Sequence, residues 1–254
     1  MQNPEKSWFG EKQVSPDEKT ENVIEVFDSV ADRYDLMNDL MSGGMHRLWK
    51  DKFIRMIRPR SHINARAMDY LDVAGGTGDI AFRIRKKIGS GANIALCDLN
   101  DNMLSVGRNR AIDKGWINDF SWITGNAEKL PLPDESVDIY TIAFGLRNVT
   151  HIDTALAEAY RVLRKGGKFF CLEFSHVQPT LLAKAYDMYS YNVIPFIGDK
   201  VTNDRDSYQY LVESIRKFPT QENLAQRMRD ANFNSVKYNN MSAGIVAVHQ
   251  GKKM

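Results

Sequence analysis

Tyr70-Leu-Asp-Val-Ala-Gly-Gly-Thr-Gly-Asp79 is a short apolar run interrupted by an acid, then a glycine-rich turn, then the start of a helical pattern. The stretch reads as a strand feeding a tight turn that opens onto a helix N-terminus. Gly75, Gly76 and Gly78 lack a Cβ, so the backbone can take strained angles and come against a ligand that bulkier residues would hold off.

Outward from this stretch, strands and helices alternate. Ala67–Val73 reads as the first strand and Asp79–Ile88 as its helix, Asn93–Asp98 as the second strand and Asn102–Lys114 as the next helix, Phe120–Thr124 as the third strand. Val137–Phe144 predicts a fourth strand, Asp153–Leu163 a helix stopped by Lys165-Gly166-Gly167, and Lys168–Phe174 a fifth strand. This order predicts an α/β fold with a parallel sheet, whose ligands lie outside the carboxyl ends of the strands. Pro219-Thr220 opens a last helix, and Ser235–Asn239 with Ala243–His249 read as two adjacent strands joined by a short turn.

Counted from Gly76, the turn satisfies the relaxed dinucleotide pattern Gly-x-Gly-x-x-Ala (Gly76, Gly78, Ala81), and Asp98 follows 20 residues after Gly78. By itself that pattern suits an NAD-linked oxidoreductase. Asp72 argues otherwise, because a carboxylate at the strand end repels a pyrophosphate and attracts an ammonium. S-adenosylmethionine carries an ammonium, and a ribose whose hydroxyls Asp98 can hold. The bland alternative for Asp72 is a turn cap. Asn126, in the loop after the third strand, has an amide able to donate and accept at the edge of a purine; its bland alternative is a turn-stabilising Asn.

Leu71-Asp-Val-Ala-Gly-Gly-Thr-Gly-Asp79, together with Phe144-Gly-Leu-Arg-Asn148 and Leu172-Glu-Phe-Ser175, closely resembles the ubiquinone/menaquinone biosynthesis C-methyltransferases. The likeness runs from about Val23 to the end. It implies a class I, Rossmann-like methyltransferase with a mostly parallel seven-stranded sheet, helices on both faces and an antiparallel C-terminal hairpin. It also implies transfer of a methyl from S-adenosylmethionine to a ring carbon of a polyprenylated quinol, either 2-polyprenyl-6-methoxy-1,4-benzoquinol, demethylmenaquinol or both. Asp72, Gly76, Thr77, Asp98, Asn126 and Ala127 then hold the cofactor. Where the family usually has a serine in contact with the cofactor this chain has Ala143, so a hydroxyl contact is lost and a backbone contact remains open.

Arg147 and Asn148 project from the end of a central strand, where reacting groups belong. A ring carbon is a poor nucleophile until a neighbouring hydroxyl loses its proton. Arg147 keeps its own proton, so its expected role is to stabilise the developing phenolate, with Asn148 donating a second hydrogen bond or holding a water. Tyr34 is expected to close over the quinol. It lies in the helical stretch that begins with Val23, Val26, Phe27 and Val30. That stretch and a second helix carrying Trp49, Phe53, Met56 and Ile57 read as a lid over the sheet edge, or as ordinary core packing.

The 254 residues, 43% hydrophobic, suit one α/β domain. Its parts are a loose polar lead-in over 1–20, N-terminal helices over 21–58, a cofactor-binding core over 67–174, an insertion facing substrate and membrane over 175–218, and a C-terminal helix and hairpin over 219–254. A net charge of +2, with no basic cluster interleaved with aromatics, argues against a nucleic-acid partner. Cys97 and Cys171 lie in apolar strands and read as buried thiols of a cytoplasmic protein, and the five scattered histidines imply no metal. No stretch of 18 apolar residues occurs, so a lipid substrate is expected to be met at the inner membrane surface, with Leu181–Gly198 as the contact. A non-catalytic role in a quinone-making assembly with other enzymes, and a homodimer, stay open at this point.

Overall fold

The computed structural model describes residues 7–10, 12–30, 39, 42–177 and 205–254. Two small hairpins and two helices come first: β1 (Ser7–Phe9) and β2 (Lys12–Val14), α1 (Pro16–Val30), α2 (Met45–Ile57), then β3 (His62–Ile63) and β4 (Arg66–Ala67). The alternating core follows as β5 (Asp69–Val73), α3 (Asp79–Ile88), β6 (Asn93–Asp98), α4 (Asp101–Asp113), β7 (Phe120–Thr124), β8 (Val137–Ala143), α5 (Ile152–Val162) and β9 (Leu163–Phe174). Helices α6 (Arg205–Lys217) and α7 (Gln221–Asp230) lead to β10 (Asn234–Met241) and β11 (Val246–Lys252).

Seven strands form one sheet in the order β10-β11-β9-β8-β5-β6-β7. Strands β9, β8, β5, β6 and β7 pair in parallel, and β11 runs antiparallel to both of its neighbours. The expected C-terminal hairpin is therefore present, joined by a turn at Ser242–Gly244. Chain order reverses at β5, which has β6 on one side and β8 on the other. Such a switch point opens a crevice at the strand ends. Central strands are apolar along their whole length because both faces are covered: every residue of β8 from Val137 to Ile142 is buried. Alternation splits the core between the two faces. Tyr70, Leu96 and Phe170 pack towards α2 and α3, whereas Leu71, Cys97 and Cys171 pack towards α5 and α7.

Two local expectations are corrected and one open alternative is resolved. Ser7–Phe9 and Lys12–Val14 pair as a hairpin where a loose lead-in was expected, and α1 begins at Pro16. The early start of α1 has a capping box behind it: Ser15 Oγ accepts from the Glu18 amide at 3.2 Å while Glu18 Oε2 accepts from the Ser15 amide at 2.8 Å. Helix α5 ends at Val162, before Lys165-Gly166-Gly167. Leu163 already pairs with Val137 of β8, and the glycines form an irregularity within β9, where the Gly166 amide donates to the Lys253 carbonyl at 2.8 Å. Pairing with two neighbours outcompetes a helix cap. Helix α2 is core: Trp49 and Phe53 meet Phe174 and Phe170 edge to face, and the Trp49 indole donates to Ser242 Oγ at 2.9 Å. Tyr34 and the stretch Leu181–Gly198 lie outside the described residues.

Candidate active site

Four loops leave the carboxyl ends of β5, β6, β7 and β8 and enclose about 810 Å3 of empty space, part of it open to solvent. The first loop brings Val73, Ala74 and Gly76, the second Asp98, Leu99 and Asn100, the third Gly125 to Glu128, and the fourth Phe144, Gly145 and Asn148. Val23, Ile24 and Phe27 of α1 close the space from above. This helix covers the cavity, and it is tied down near both ends. Lys19 Nζ donates to the Val149 carbonyl at 3.0 Å, and Asp28 Oδ1 accepts from Asn100 and Asn102 side chains at 2.8 and 2.9 Å.

The glycine turn behaves as its residues require. Gly76 and Gly78 have φ of +48° and +88°, and the Gly76 amide donates to Asp98 Oδ2 at 2.8 Å. Asp98 Oδ1 accepts from the Asn100 amide at 2.9 Å. Burial holds its pKa above the usual carboxylate range. Asp98 lines the cavity, and each oxygen keeps a second lone pair for a hydroxyl. Asp72 lies behind the turn: Oδ1 accepts from Thr141 Oγ1 at 2.8 Å, and Oδ2 is buried without a hydrogen-bond partner among the described residues. Burial pushes this carboxyl up to about 7. A Cβ at Gly75 would stand 3.3 Å from Oδ2, so the carboxylate faces the turn and is not on the cavity wall.

The other expected cofactor residues separate in the same way. Ala127 is in the wall, and so is Asn126, whose Oδ1 stabilises its own turn by accepting from the Glu128 amide at 2.8 Å. Thr77 is buried, and neither it nor Ala143 is part of the wall.

At the ends of β5 and β8 the backbone is strained. Ala74 and Phe144 are non-glycine residues at φ of +51° and +57°, and both line the cavity. Such conformations cost of order 1–3 kcal/mol each. The surroundings hold them: a Cβ on Gly145 would collide with that of Ala74, and the Phe144 amide donates to the Leu172 carbonyl at 2.8 Å. Arg147 Nη1 donates to the Phe144 carbonyl and, at 2.9 Å, to Glu173 Oε1. Its side chain is 2% exposed, lies over the Phe174 ring and does not reach the cavity wall. The guanidinium is thus engaged in an ion pair, because Glu173 on β9 offers a buried countercharge one strand away. Asn148 does line the cavity, and its Oδ1 accepts from the Tyr210 hydroxyl at 3.1 Å.

Sequence reasoning missed Tyr210, Glu173 and Lys50. Lys50 is buried on α2 and pairs with Asp79 at 2.7 Å, at the first turn of α3. Asp79 in a helix's first turn was a legible signal; its partner, 29 residues earlier, was not.

A sheet of this order with one reversed strand, a glycine turn and an acid at the end of the second strand defines a class I S-adenosylmethionine-dependent methyltransferase. The cavity fits that cofactor. It offers a carboxylate with spare lone pairs for the ribose, a backbone bare of Cβ at Gly76 and an apolar wall, with the unpartnered Asp72 carboxylate oxygen behind the turn. The chain belongs to the ubiE/COQ5 methyltransferase family, whose model matches residues 13–253. It is 54% identical to the ubiquinone/menaquinone biosynthesis C-methyltransferase UbiE of Rhodopseudomonas palustris, covering 98% of each chain. It is 51% identical to the mitochondrial 2-methoxy-6-polyprenyl-1,4-benzoquinol methylase of Oryza sativa, covering 97% of this chain and 88% of that one. In fold it is similar to a methyltransferase of Thermotoga maritima described as a possible histamine N-methyltransferase, with TM-score 0.62, 20% identity and coverage of 91% and 99%.

Proposed function

We propose that the protein methylates a ring carbon of a polyprenylated quinol in ubiquinone or menaquinone biosynthesis, with Asn148 as the group that touches the reacting ring. The family match over residues 13–253 carries the reading. S-adenosylmethionine supplies an electrophilic methyl. Asp98 holds its ribose hydroxyls, Gly76 admits its close approach, and Asn126 and Ala127 border its adenine. Asp72 supplies the negative field that favours its ammonium, and Thr77 and Ala143 act through the backbone positions they fix.

The chain's other task is to make the ring carbon nucleophilic. A free phenol with pKa about 10 is ionised to roughly one part in a thousand at pH 7, so the site must favour the anion. With its oxygen engaged by Tyr210, Asn148 has its NH2 left to donate to the ring oxygen. Arg147 positions that residue by pinning the Phe144 carbonyl, and the family resemblance adds Tyr34 as a group that closes over the quinol. Helix α1 keeps water from the cavity.

The polyprenyl tail keeps such a substrate in a bilayer. Among the described residues no helix is long and apolar enough to cross one, and the reading is a peripheral enzyme that meets the membrane through Leu181–Gly198. Mass spectrometry of the quinones accumulating when the gene is deleted tests the function. A species lacking one ring methyl is expected, and whether it is a benzoquinone or a naphthoquinone names the substrate; an unchanged quinone profile refutes the reading.

A further inference from the structure

We infer that Tyr210 is a positioning residue for methyl transfer: its hydroxyl, reaching from α6 to Asn148 Oδ1 at 3.1 Å, decides which end of that carboxamide faces the cavity. The inference rests on the proposed role of Asn148. An amide has a donor end and an acceptor end of nearly equal size. Only the donor end favours an oxygen that is gaining negative charge; the reversed amide would present a second oxygen and repel it. Tyr210 is 5% exposed and does not line the cavity, so it acts through Asn148. Burial raises the phenol above its usual range, so it keeps the proton it donates.

The N-terminal hairpin fixes the ring that carries this hydroxyl. Phe9 stacks on Tyr210 with centroids 4.3 Å apart and planes 17° apart. Lys217 Nζ sits 3.4 Å from the centroid of the Trp8 ring. Gly10, at φ +56°, lies so close to Glu213 that a Cβ would collide with its carboxylate. Three residues of β1 and its turn therefore clip onto three residues of α6. The hairpin is a separate two-stranded sheet, not paired with the seven-stranded one.

The test is a double-mutant cycle on methyl transfer to a short-chain quinol analogue, with cofactor affinity and Tm measured alongside. Tyr210→Phe keeps the ring on Phe9 and removes only the hydroxyl. We expect kcat to fall roughly 2- to 10-fold, the weight of one hydrogen bond, with cofactor affinity unchanged and Tm lowered by about 5 °C at most. In an Asn148→Ala background the same substitution is expected to change nothing further. No fall in the wild-type background, or an equal fall in both, overturns the inference. Phe9→Ala forms a second arm, leaving the hydroxyl in place but loosening its support, and its effect on kcat is expected to vanish with Asn148→Ala in the same way. A wild-type enzyme that binds the cofactor but methylates no quinol refutes the proposed function instead, so the two failures are distinct.

Discussion

Arg147 stands one residue from the cavity, yet its guanidinium is occupied by Glu173 and the Phe144 carbonyl. Removing one partner of a buried pair leaves an uncompensated charge and costs about 3–5 kcal/mol, whereas replacing both by apolar residues is often close to neutral. Arg147→Ala is therefore expected to lower unfolding stability by that amount in urea titration, and Arg147→Met with Glu173→Met to recover most of it. A midpoint unchanged by Arg147→Ala would show that the pair does not hold the loop. Asp72 gives a pH signature. Its folded pKa of about 7 lies above the unfolded value of 3.8, so between these the native state keeps a proton that the unfolded chain has released. Stability due to this group is full below about pH 4, falls as pH rises, and levels off above about 7. A shift of about 3 units corresponds to roughly 4 kcal/mol. The stability of Asp72→Asn relative to wild type is expected to rise by about that much from pH 4 to 8, measured without cofactor. A pH-independent difference would mean that the carboxyl titrates normally.

The sequence left both N-terminal helices open between lid and packing, and α1 lies over the cavity. It spans the cavity from Lys19, bound to the loop after β8, to Asp28, bound to the start of α4. Asp28→Ala removes two hydrogen bonds of about 1 kcal/mol each. The amides of α1 are expected to exchange roughly 10- to 30-fold faster, with the β5 amides unaffected. Uniform acceleration across the sheet would mean that α1 is an integral part of the core. Helix α2 has the same amphipathic spacing and a different place, because Trp49 and Phe53 meet Phe174 and Phe170 of β9, whereas Val23, Ile24 and Phe27 of α1 face the cavity. Apolar periodicity told both helices to bury a face; it did not say against what.

For the whole molecule, a cofactor that binds the crevice between four loops stabilises the sheet that supports them. At a concentration 100 times its Kd, a ligand specific for the native state adds about 2.7 kcal/mol. For a chain of 254 residues this is a rise in Tm of roughly 5–11 °C. S-adenosylmethionine is expected to produce it and NAD to produce none, by differential scanning fluorimetry. An equal response to NAD would contradict the reading of Asp72 as the group that repels a pyrophosphate.

The sequence by itself determined the parallel sheet, the strands Asn93–Asp98 and Phe120–Thr124, the helix Asp79–Ile88 and the glycine turn. These rest on local rules, namely apolar runs, helical spacing and residues that tolerate positive φ, and local rules are written in neighbouring residues. Asp98 was legible for the same reason, since it ends a strand beside that turn. The lead-in was misread although Ser15-Pro-Asp-Glu18 carried a capping box in plain view. The tertiary structure alone decided that Arg147 meets Glu173 26 residues on, that Lys50 meets Asp79, and that Tyr210 reaches Asn148 from 62 residues away. Buried polar groups must find partners across the fold, and a chain written in one dimension does not say which strand or helix will bring the partner near.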